Sequence, residues 1–149
     1  MKIYEFGDKN KPSIMLFPGT CCYWKTNFGH VLDGLQEHFH TLVVSYSGFD
    51  DTENSTFISE LDEVLKVENY IKDKLDGKLF AAYGCSLGGS FVSLLIGRPQ
   101  GYTGSCKLHC EAECAGQGRG NSIRFKKVFS RVCSRSSSLP VCKWNQVIS

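Results

Sequence analysis

The sequence has 149 residues, of which 42% are hydrophobic, and a formal net charge of +2. This length allows one domain with a core of its own, and no apolar run reaches the ~18 residues that a membrane-spanning helix needs. Residues 1–5 do not begin a signal peptide. We therefore expect a cytoplasmic protein whose cysteines stay reduced.

The first half of the chain predicts strands that alternate with helices. Alternating polar and apolar residues predict a strand at Lys2–Phe6, and a second strand is predicted at Ser13–Phe17, before Pro18-Gly19. A third strand, apolar on both faces, is predicted at 41–46. Between the second and third strands, helical spacing predicts a helix that buries Phe28, Val31, Leu32, Leu35 and Phe39.

A longer helix is predicted after the third strand. Its apolar stripe consists of Phe57, Leu61, Val64, Ile71 and Leu75. Asp50, Asp51 and Glu53 are expected near its start, where negative charge is favoured, and its acidic side chains are expected to form a solvated face. Strands that alternate with helices predict an α/β fold with a mostly parallel sheet covered by helices on both faces.

The most informative segment is 79–97. A short apolar strand at 78–83 leads into Gly84-Cys85-Ser86-Leu87-Gly88, and an almost wholly apolar helix follows. This pattern is typical of a sharp strand-to-helix turn that exposes a serine hydroxyl near unpaired helix N–H groups. Gly84 and Gly88 stand where such a turn requires residues without a Cβ atom. A serine without a catalytic role in a glycine-rich loop is the alternative.

With these motifs, residues 1–97 resemble the N-terminal half of an α/β-hydrolase. The resemblance is carried by residues 16–20, Leu-Phe-Pro-Gly-Thr, after the second strand and by Gly84-Cys85-Ser86-Leu87-Gly88-Gly89. It implies that Ser86 is the nucleophile and that the backbone N–H groups of Thr20 and Leu87 form an oxyanion hole, with Cys21 as an alternative to Thr20. The implied substrate is a small-molecule ester or a related acyl compound, with no cofactor and no metal.

Residues 98–149 do not continue the pattern. Residues 1–97 contain 8 Lys and 13 acidic residues, whereas residues 98–149 contain 9 Lys or Arg, 2 Glu and five of the eight cysteines. We interpret this segment as an atypical basic Cys/Ser-rich tail, either disordered or produced by a reading-frame shift near Arg98-Pro99. We call the turn at 84–88 the elbow. Unless the tail supplies a further strand, the strand before the elbow is an exposed sheet edge, and the chain is expected to aggregate. Segments 124–132 and 139–148 are the candidates for that strand.

The acid and base of a triad are missing from their expected places. In the family they follow the serine in the order acid, then histidine. After Ser86, the sequence has only His109, with Glu111 and Glu113 behind it. We interpret His30, His38 and His40 as exposed or helix-end residues. Because a serine without a base is a poor nucleophile, the sequence leaves open whether this chain is active.

The alternative is a non-catalytic α/β module whose tail binds a partner or a metal. On a helix, Cys106, Cys110 and Cys114 would share one face near His109, but their spacing is not a usual zinc pattern. The basic residues from Arg119 to Arg135 lie in no recognised nucleic-acid motif. We therefore expect neither nucleic acid nor membrane as a partner. The oligomeric state is not predicted.

Overall fold

The computed structural model of the chain describes residues 1–98 and the strand Lys107–Glu111. All of these residues belong to one compact unit, Met1–Ala112. They form a five-stranded sheet with the strand order β1-β3-β2-β4-β5. The strands are β1 (Lys2–Phe6), β2 (Ser13–Phe17), β3 (His40–Ser45), β4 (Ala81–Cys85) and β5 (Lys107–Glu111).

Only β1 runs antiparallel to its neighbour, β3. The other neighbours pair in parallel, with Ser13 beside His40 at one end of β2 and Phe17 beside Gly84 at the other. The carboxyl ends of β2 and β4 therefore lie at the same edge of the sheet. The mostly parallel sheet and the α/β class predicted from the sequence are confirmed.

The described residues also form three helices: α1 (Trp24–Gln36), α2 (Glu60–Leu75) and α3 (Leu87–Gly97). Alternate residues of β2 point to opposite faces of the sheet. Met15 and Phe17 belong to the same buried cluster as α2 and α3. Apolar residues of α1 are also buried. In the part of the chain that the structure describes, no helix is long and apolar enough to span a membrane.

The helical stripes differ from the predictions in two places. Phe39 is buried as predicted, but α1 ends before it at Gln36. The stripe predicted for the second helix is wrong at its start. Phe57 precedes α2, and Leu61 is 46% exposed. The buried face of α2 is instead formed by Glu63, Val64, Val67, Glu68 and Ile71.

The acidic residues of this region do not form a purely solvated face. Glu63 is fully buried, and its carboxylate accepts hydrogen bonds from the Ser47 N–H at 3.0 Å and from Lys66 Nζ at 2.8 Å. Glu68 is buried and paired with Arg98 at 2.9 Å. Asp50 lies ten residues before α2, so its role near the helix start was wrongly predicted. Periodicity missed these positions because a buried, hydrogen-bonded carboxylate reads as a surface residue.

The sheet edge at β4 is paired by β5. The register places Ala81 beside Lys107 and Cys85 beside Glu111. The expectation of an exposed edge, and of aggregation that follows from it, assumed that no strand came from this part of the chain. The two segments proposed as substitutes, 124–132 and 139–148, lie outside the described residues. Cys110 lies in β5, so it is not on the helix that would give Cys106, Cys110 and Cys114 a common face.

Candidate active site

Ser86 occupies the one-residue junction between a strand and a helix. It follows the last residue of β4 and precedes the first residue of α3. Its backbone angles are φ 51° and ψ −116°, a conformation that residues with a Cβ atom adopt only when the surrounding structure enforces it. The Gly89 N–H donates to the Ser86 carbonyl oxygen at 2.8 Å and closes the turn. Such a strained junction raises the side chain off the end of the sheet.

Two glycines allow this turn because other backbone atoms occupy the space where their side chains would be. A Cβ atom on Gly84 would lie 2.1 Å from the carbonyl oxygen of Gly88. A Cβ atom on Gly88 would lie 2.1 Å from the carbonyl oxygen of Phe17, the last residue of β2. The start of α3 therefore packs directly on the ends of β2 and β4. Both positions require a residue without a Cβ atom, as the sequence predicted.

The loop after β2 approaches the same point. A Cβ atom built on Gly19 would lie 3.5 Å from the Cβ atom of Ser86. The Cys22 N–H donates to the Gly19 carbonyl at 3.3 Å, which forms a tight turn with Thr20 and Cys21 at its centre. Cys21 has a φ of 55°. The structure thus brings the segments of Ser86 and Thr20 together.

The two N–H groups that the resemblance implies as oxyanion donors lie on different elements, one in the loop after β2 and one at the start of α3. Thr20 is exposed, and its N–H donates to no acceptor within the described part of the chain. Leu87 is the first residue of α3, where an N–H has no acceptor inside its own helix. In contrast, the Gly19 N–H donates to Asn27 Oδ1 at 2.8 Å and is already occupied.

Two residues that the sequence did not single out hold the loop after β2. Asn27, on α1, accepts the hydrogen bond from Gly19. Tyr46, just after β3, donates its hydroxyl to the Pro18 carbonyl at 3.0 Å in a buried contact. Neither residue lies in a motif, and a lone Asn or Tyr carries no sequence signal that would distinguish it from an ordinary helix or core residue.

The ring of Tyr46 connects this loop to the elbow helix. It stacks on Phe91 of α3 with ring centroids 4.4 Å apart, and Phe91 in turn stacks on Phe17 at 6.4 Å. Burial, and then the negative charge of Glu63, raises the pKa of the Tyr46 hydroxyl above its ordinary value. The hydroxyl therefore stays protonated and acts as a fixed donor to the loop.

The histidines of the first half do not fit the role of a base for Ser86. His40 was expected to be exposed or at a helix end, but it starts β3, where pairing with β2 leaves it 3% exposed. Ser13 Oγ contacts its Nδ1 at 3.0 Å, and Glu5 contacts its Nε2 at 3.4 Å. His40 pairs with Ser13 of β2, and Gly84 pairs with Phe17, four residues further along the same strand. At the rise of a strand, this separation is about 13 Å, far beyond a hydrogen bond.

The other histidines have different positions. His30 lies exposed on α1, and His38 follows the end of that helix. The backbone of His109 pairs with Tyr83 in the sheet. Glu111, the last residue of β5, pairs with Cys85, which directly precedes Ser86 in the sequence. Glu113, Cys106 and Cys114 lie outside the described residues. Among the side chains that the structure describes, no group of three His, Cys, Asp or Glu could hold a metal ion.

The fold matches solved structures of the α/β-hydrolase type. One is a protein from Desulfitobacterium hafniense assigned to the α/β hydrolase family, with 19% identity, 91% of this chain and 55% of that chain covered, and a TM-score of 0.64. Another is an enol-lactonase from Burkholderia xenovorans, with 17% identity, 66% and 38% coverage, and a TM-score of 0.57. The chain therefore has an α/β-hydrolase-like fold.

The same fold also carries a different reaction. A 1H-3-hydroxy-4-oxoquinoline 2,4-dioxygenase matches with 19% identity, 62% and 35% coverage, and a TM-score of 0.54. The chain spans between about a third and just over half of the length of these three structures. The sequence matches no protein-family model, and no match to a curated protein is found. Fold likeness alone does not determine the reaction.

Proposed function

We propose that this chain carries the nucleophile of a serine hydrolase that acts on esters or related acyl substrates. The observation that supports the proposal is the backbone of Ser86, held at φ 51° and ψ −116° between β4 and α3. Strain of this kind, of about 1–3 kcal/mol, persists where a fold over-determines it, and it is concentrated at functional sites.

In this proposal, the Ser86 hydroxyl oxygen attacks the acyl carbon of the substrate. A base takes the hydroxyl proton, and the carbonyl oxygen becomes negatively charged in the tetrahedral intermediate. The N–H groups of Thr20 and Leu87 would bind that oxygen. The carbon–oxygen bond to the leaving alcohol then breaks, the alcohol takes the proton from the base, and water releases the acyl group from Ser86 by the same steps.

Two features of the site support oxyanion binding by backbone groups. The Leu87 N–H starts a helix, where the partial positive charge of the helix end adds to the hydrogen bond. The loop that carries Thr20 is held by the hydrogen bonds of Asn27 and Tyr46, so its N–H groups are fixed before substrate arrives. Loss of one such donor in a working hydrolase costs about 3 kcal/mol of transition-state stabilisation.

The acid and base of the triad stay unassigned in this proposal. His40 lies at the opposite edge of the sheet, and the side chains after residue 98 lie outside the described part of the chain. A hydrolase that keeps only its oxyanion hole retains about 10³–10⁴-fold acceleration over water. This residual acceleration does not need the serine, so the proposal requires that the wild-type protein cleave esters faster than a variant without the Ser86 hydroxyl.

Turnover of p-nitrophenyl acetate and butyrate tests the proposal. Ser86→Ala should reduce release of p-nitrophenol to the residual rate that the oxyanion hole alone supports. Ser93→Ala, an exposed serine on the same helix, should leave the rate unchanged. Equal rates in the wild-type protein and Ser86→Ala, with both folded, would contradict the proposal. The alternative function, partner or metal binding by the basic tail, depends on residues outside the described part of the chain.

A further inference from the structure

A cavity of about 630 Å³ lies at the amino ends of the parallel strands, opposite the ends that carry Ser86. It is lined by residues from the ends of β1, β2 and β3, from α2, and from the loops that follow β1 and α2. The nucleophile and the oxyanion loop do not line it. Its volume is within the range of small-molecule sites in proteins.

Positive charge dominates the lining. The charged side chains are Glu5, Asp76 and four lysines: Lys9, Lys11, Lys74 and Lys78. Their formal charge is +2, with His40 neutral. The carboxyl ends of α1 and α2 each contribute a partial negative charge of about half a unit, which lowers this excess without reversing it.

The two carboxylates are already neutralised by partners. Glu5 accepts from Lys9 at 2.6 Å and from the Tyr70 hydroxyl at 2.6 Å, and Asp76 pairs with Lys78 at 2.8 Å. Lys74 makes no ion pair or hydrogen bond with the described residues. Lys11 donates to the Glu37 carbonyl at 2.7 Å, so its positive charge has no carboxylate partner. Lys11 and Lys74 therefore supply the excess charge.

A partly buried chain of polar groups forms part of the cavity lining. His40 is 3% exposed and lies between the Ser13 hydroxyl and the Glu5 carboxylate. The Lys9 and Tyr70 contacts hold the pKa of Glu5 down at about 2, so that this carboxylate is ionised at neutral pH. These linked groups fix the cavity walls before any ligand binds, which lowers the ordering cost of binding.

Apolar groups complete the lining. Leu79 is buried, and Phe80 stacks against Phe39 with ring centroids 5.9 Å apart. Tyr70, Leu75 and Pro12 also line the cavity. A ligand that matches both parts of the lining carries a multiply charged anionic group and an aromatic or apolar group.

We propose that this cavity binds a phosphate monoester that carries an aromatic group, with Lys11 and Lys74 as its charge partners. A phosphate monoester is close to doubly charged at pH 7.5, because its second pKa is near 6. Its three terminal oxygens accept several charge-assisted hydrogen bonds from lysines. The aromatic group would contact the side chains around Phe80 and Leu79.

Calorimetric titration with phenyl phosphate at pH 7.5 and low ionic strength tests the proposal. The protein carries Ser86→Ala, so that neither turnover nor binding at the elbow serine contributes. The double variant Lys11→Gln/Lys74→Gln should bind about tenfold more weakly or worse, as expected for the loss of hydrogen bonds to a charged group. Lys25→Gln/Lys72→Gln removes the same charge from exposed positions on α1 and α2 and should retain the affinity.

Two further compounds test separately the charge of the phosphate group and the aromatic ring. Benzenesulfonate, with one charge and a similar shape, should bind more weakly than phenyl phosphate, and so should inorganic phosphate, which lacks the ring. Lys11 donates to the Glu37 carbonyl, so its substitution could also affect stability. Lys74→Gln alone removes no such contact, and its thermal transition should match that of the parent protein. Equal affinity of the two double variants, or phenyl phosphate binding no tighter than benzenesulfonate and inorganic phosphate, would overturn the proposal.

Discussion

Gly84 lies so close to Gly88 that a Cβ atom on Gly84 would be 2.1 Å from the Gly88 carbonyl oxygen and 2.5 Å from the Gly89 nitrogen. The end of β4 and the first turn of α3 are thus in direct backbone contact. The strained conformation of Ser86 exists because the chain has to reverse between these two glycines. Backbone atoms cannot move aside as a flexible side chain can, so we expect substitutions here to be costly.

Gly84→Ala should lower the free energy of unfolding by about 3 kcal/mol, the upper range for overpacking a core. Gly97→Ala is the matched control. It lies at the end of α3, where a Cβ atom would meet nothing within 4 Å. Alanine has a higher helix propensity than glycine, so the control should be neutral or stabilised by up to about 1 kcal/mol. Urea unfolding measures both, and equal effects of the two substitutions would contradict this view of the elbow.

The strain at Ser86 predicts that glycine is more stable there than alanine. Glycine readily adopts a φ of 51°, whereas alanine keeps the steric cost of its Cβ atom. After the greater backbone entropy of glycine in the unfolded chain is counted, Ser86→Gly should exceed Ser86→Ala in unfolding free energy by about 1 kcal/mol. Thermal and urea unfolding of the two variants provide the comparison. If Ser86→Ala is the more stable, the turn is not strained as described.

Asp50 predicts a loss of stability in acid. Burial alone would raise the pKa of this carboxyl, but hydrogen bonds from the Thr52 hydroxyl, the Tyr4 hydroxyl and the Thr52 N–H outweigh it and hold the pKa at about 2. Because the folded pKa lies below the unfolded value of about 3.9, this contribution is complete above pH 4 and is lost as the pH falls towards 2.

Asp50→Asn should therefore destabilise the protein by about 1–2 kcal/mol at pH 7, and this difference should shrink below pH 4. Asp51→Asn, an exposed neighbour, is the control and should have little effect. Urea unfolding between pH 7 and pH 2.5 measures the dependence. A constant difference between Asp50→Asn and the wild-type protein across this range would be inconsistent with a carboxylate that is stabilised in the fold.

Replacing the buried carboxylate of Glu63 should lower the free energy of unfolding. Glu63→Leu would leave the buried Ser47 N–H without its acceptor, at a cost of about 1–3 kcal/mol. Lys66 would be affected less, since it is 37% exposed and keeps its ion pair with Asp62 at 2.7 Å. Glu63→Gln retains an oxygen acceptor and should be the milder change. Equal unfolding free energies for the two variants would show that the Ser47 contact contributes little.

Local patterns were sufficient to predict much of the fold. The limits of β1 and β2 agree with the predicted strands, and the glycines around Ser86 predicted the elbow, because a period of two and a need for small residues are both visible in a single sequence. Glu63 was missed because its partner, the Ser47 N–H, comes from a distant loop. β5 was missed because Lys107–Glu111 is short and has little apolar character of its own.

The same reasoning explains what was missed at the candidate site. Gly84 contacts the backbone of Gly88 and Gly89, close in sequence, whereas Gly88 contacts Phe17 of β2. A motif could reveal both glycines because they stand in the same short turn sequence. Asn27 on α1 and Tyr46 after β3 bond the loop after β2, and only the folded chain brings them to Gly19 and Pro18. His40 illustrates the reverse case, because pairing with Ser13 in the sheet buries a residue that was expected to be exposed or at a helix end.

The most direct test is covalent labelling of the folded protein with a fluorophosphonate, followed by mass spectrometry of its peptides. A nucleophilic serine displaces fluoride and forms a stable phosphonate ester, so the adduct identifies the residue. We expect one adduct, on the peptide that contains Ser86, and no adduct in Ser86→Ala. An adduct on another serine, or an unlabelled wild-type protein under conditions that label a control serine hydrolase, would contradict the assignment of Ser86 as the nucleophile.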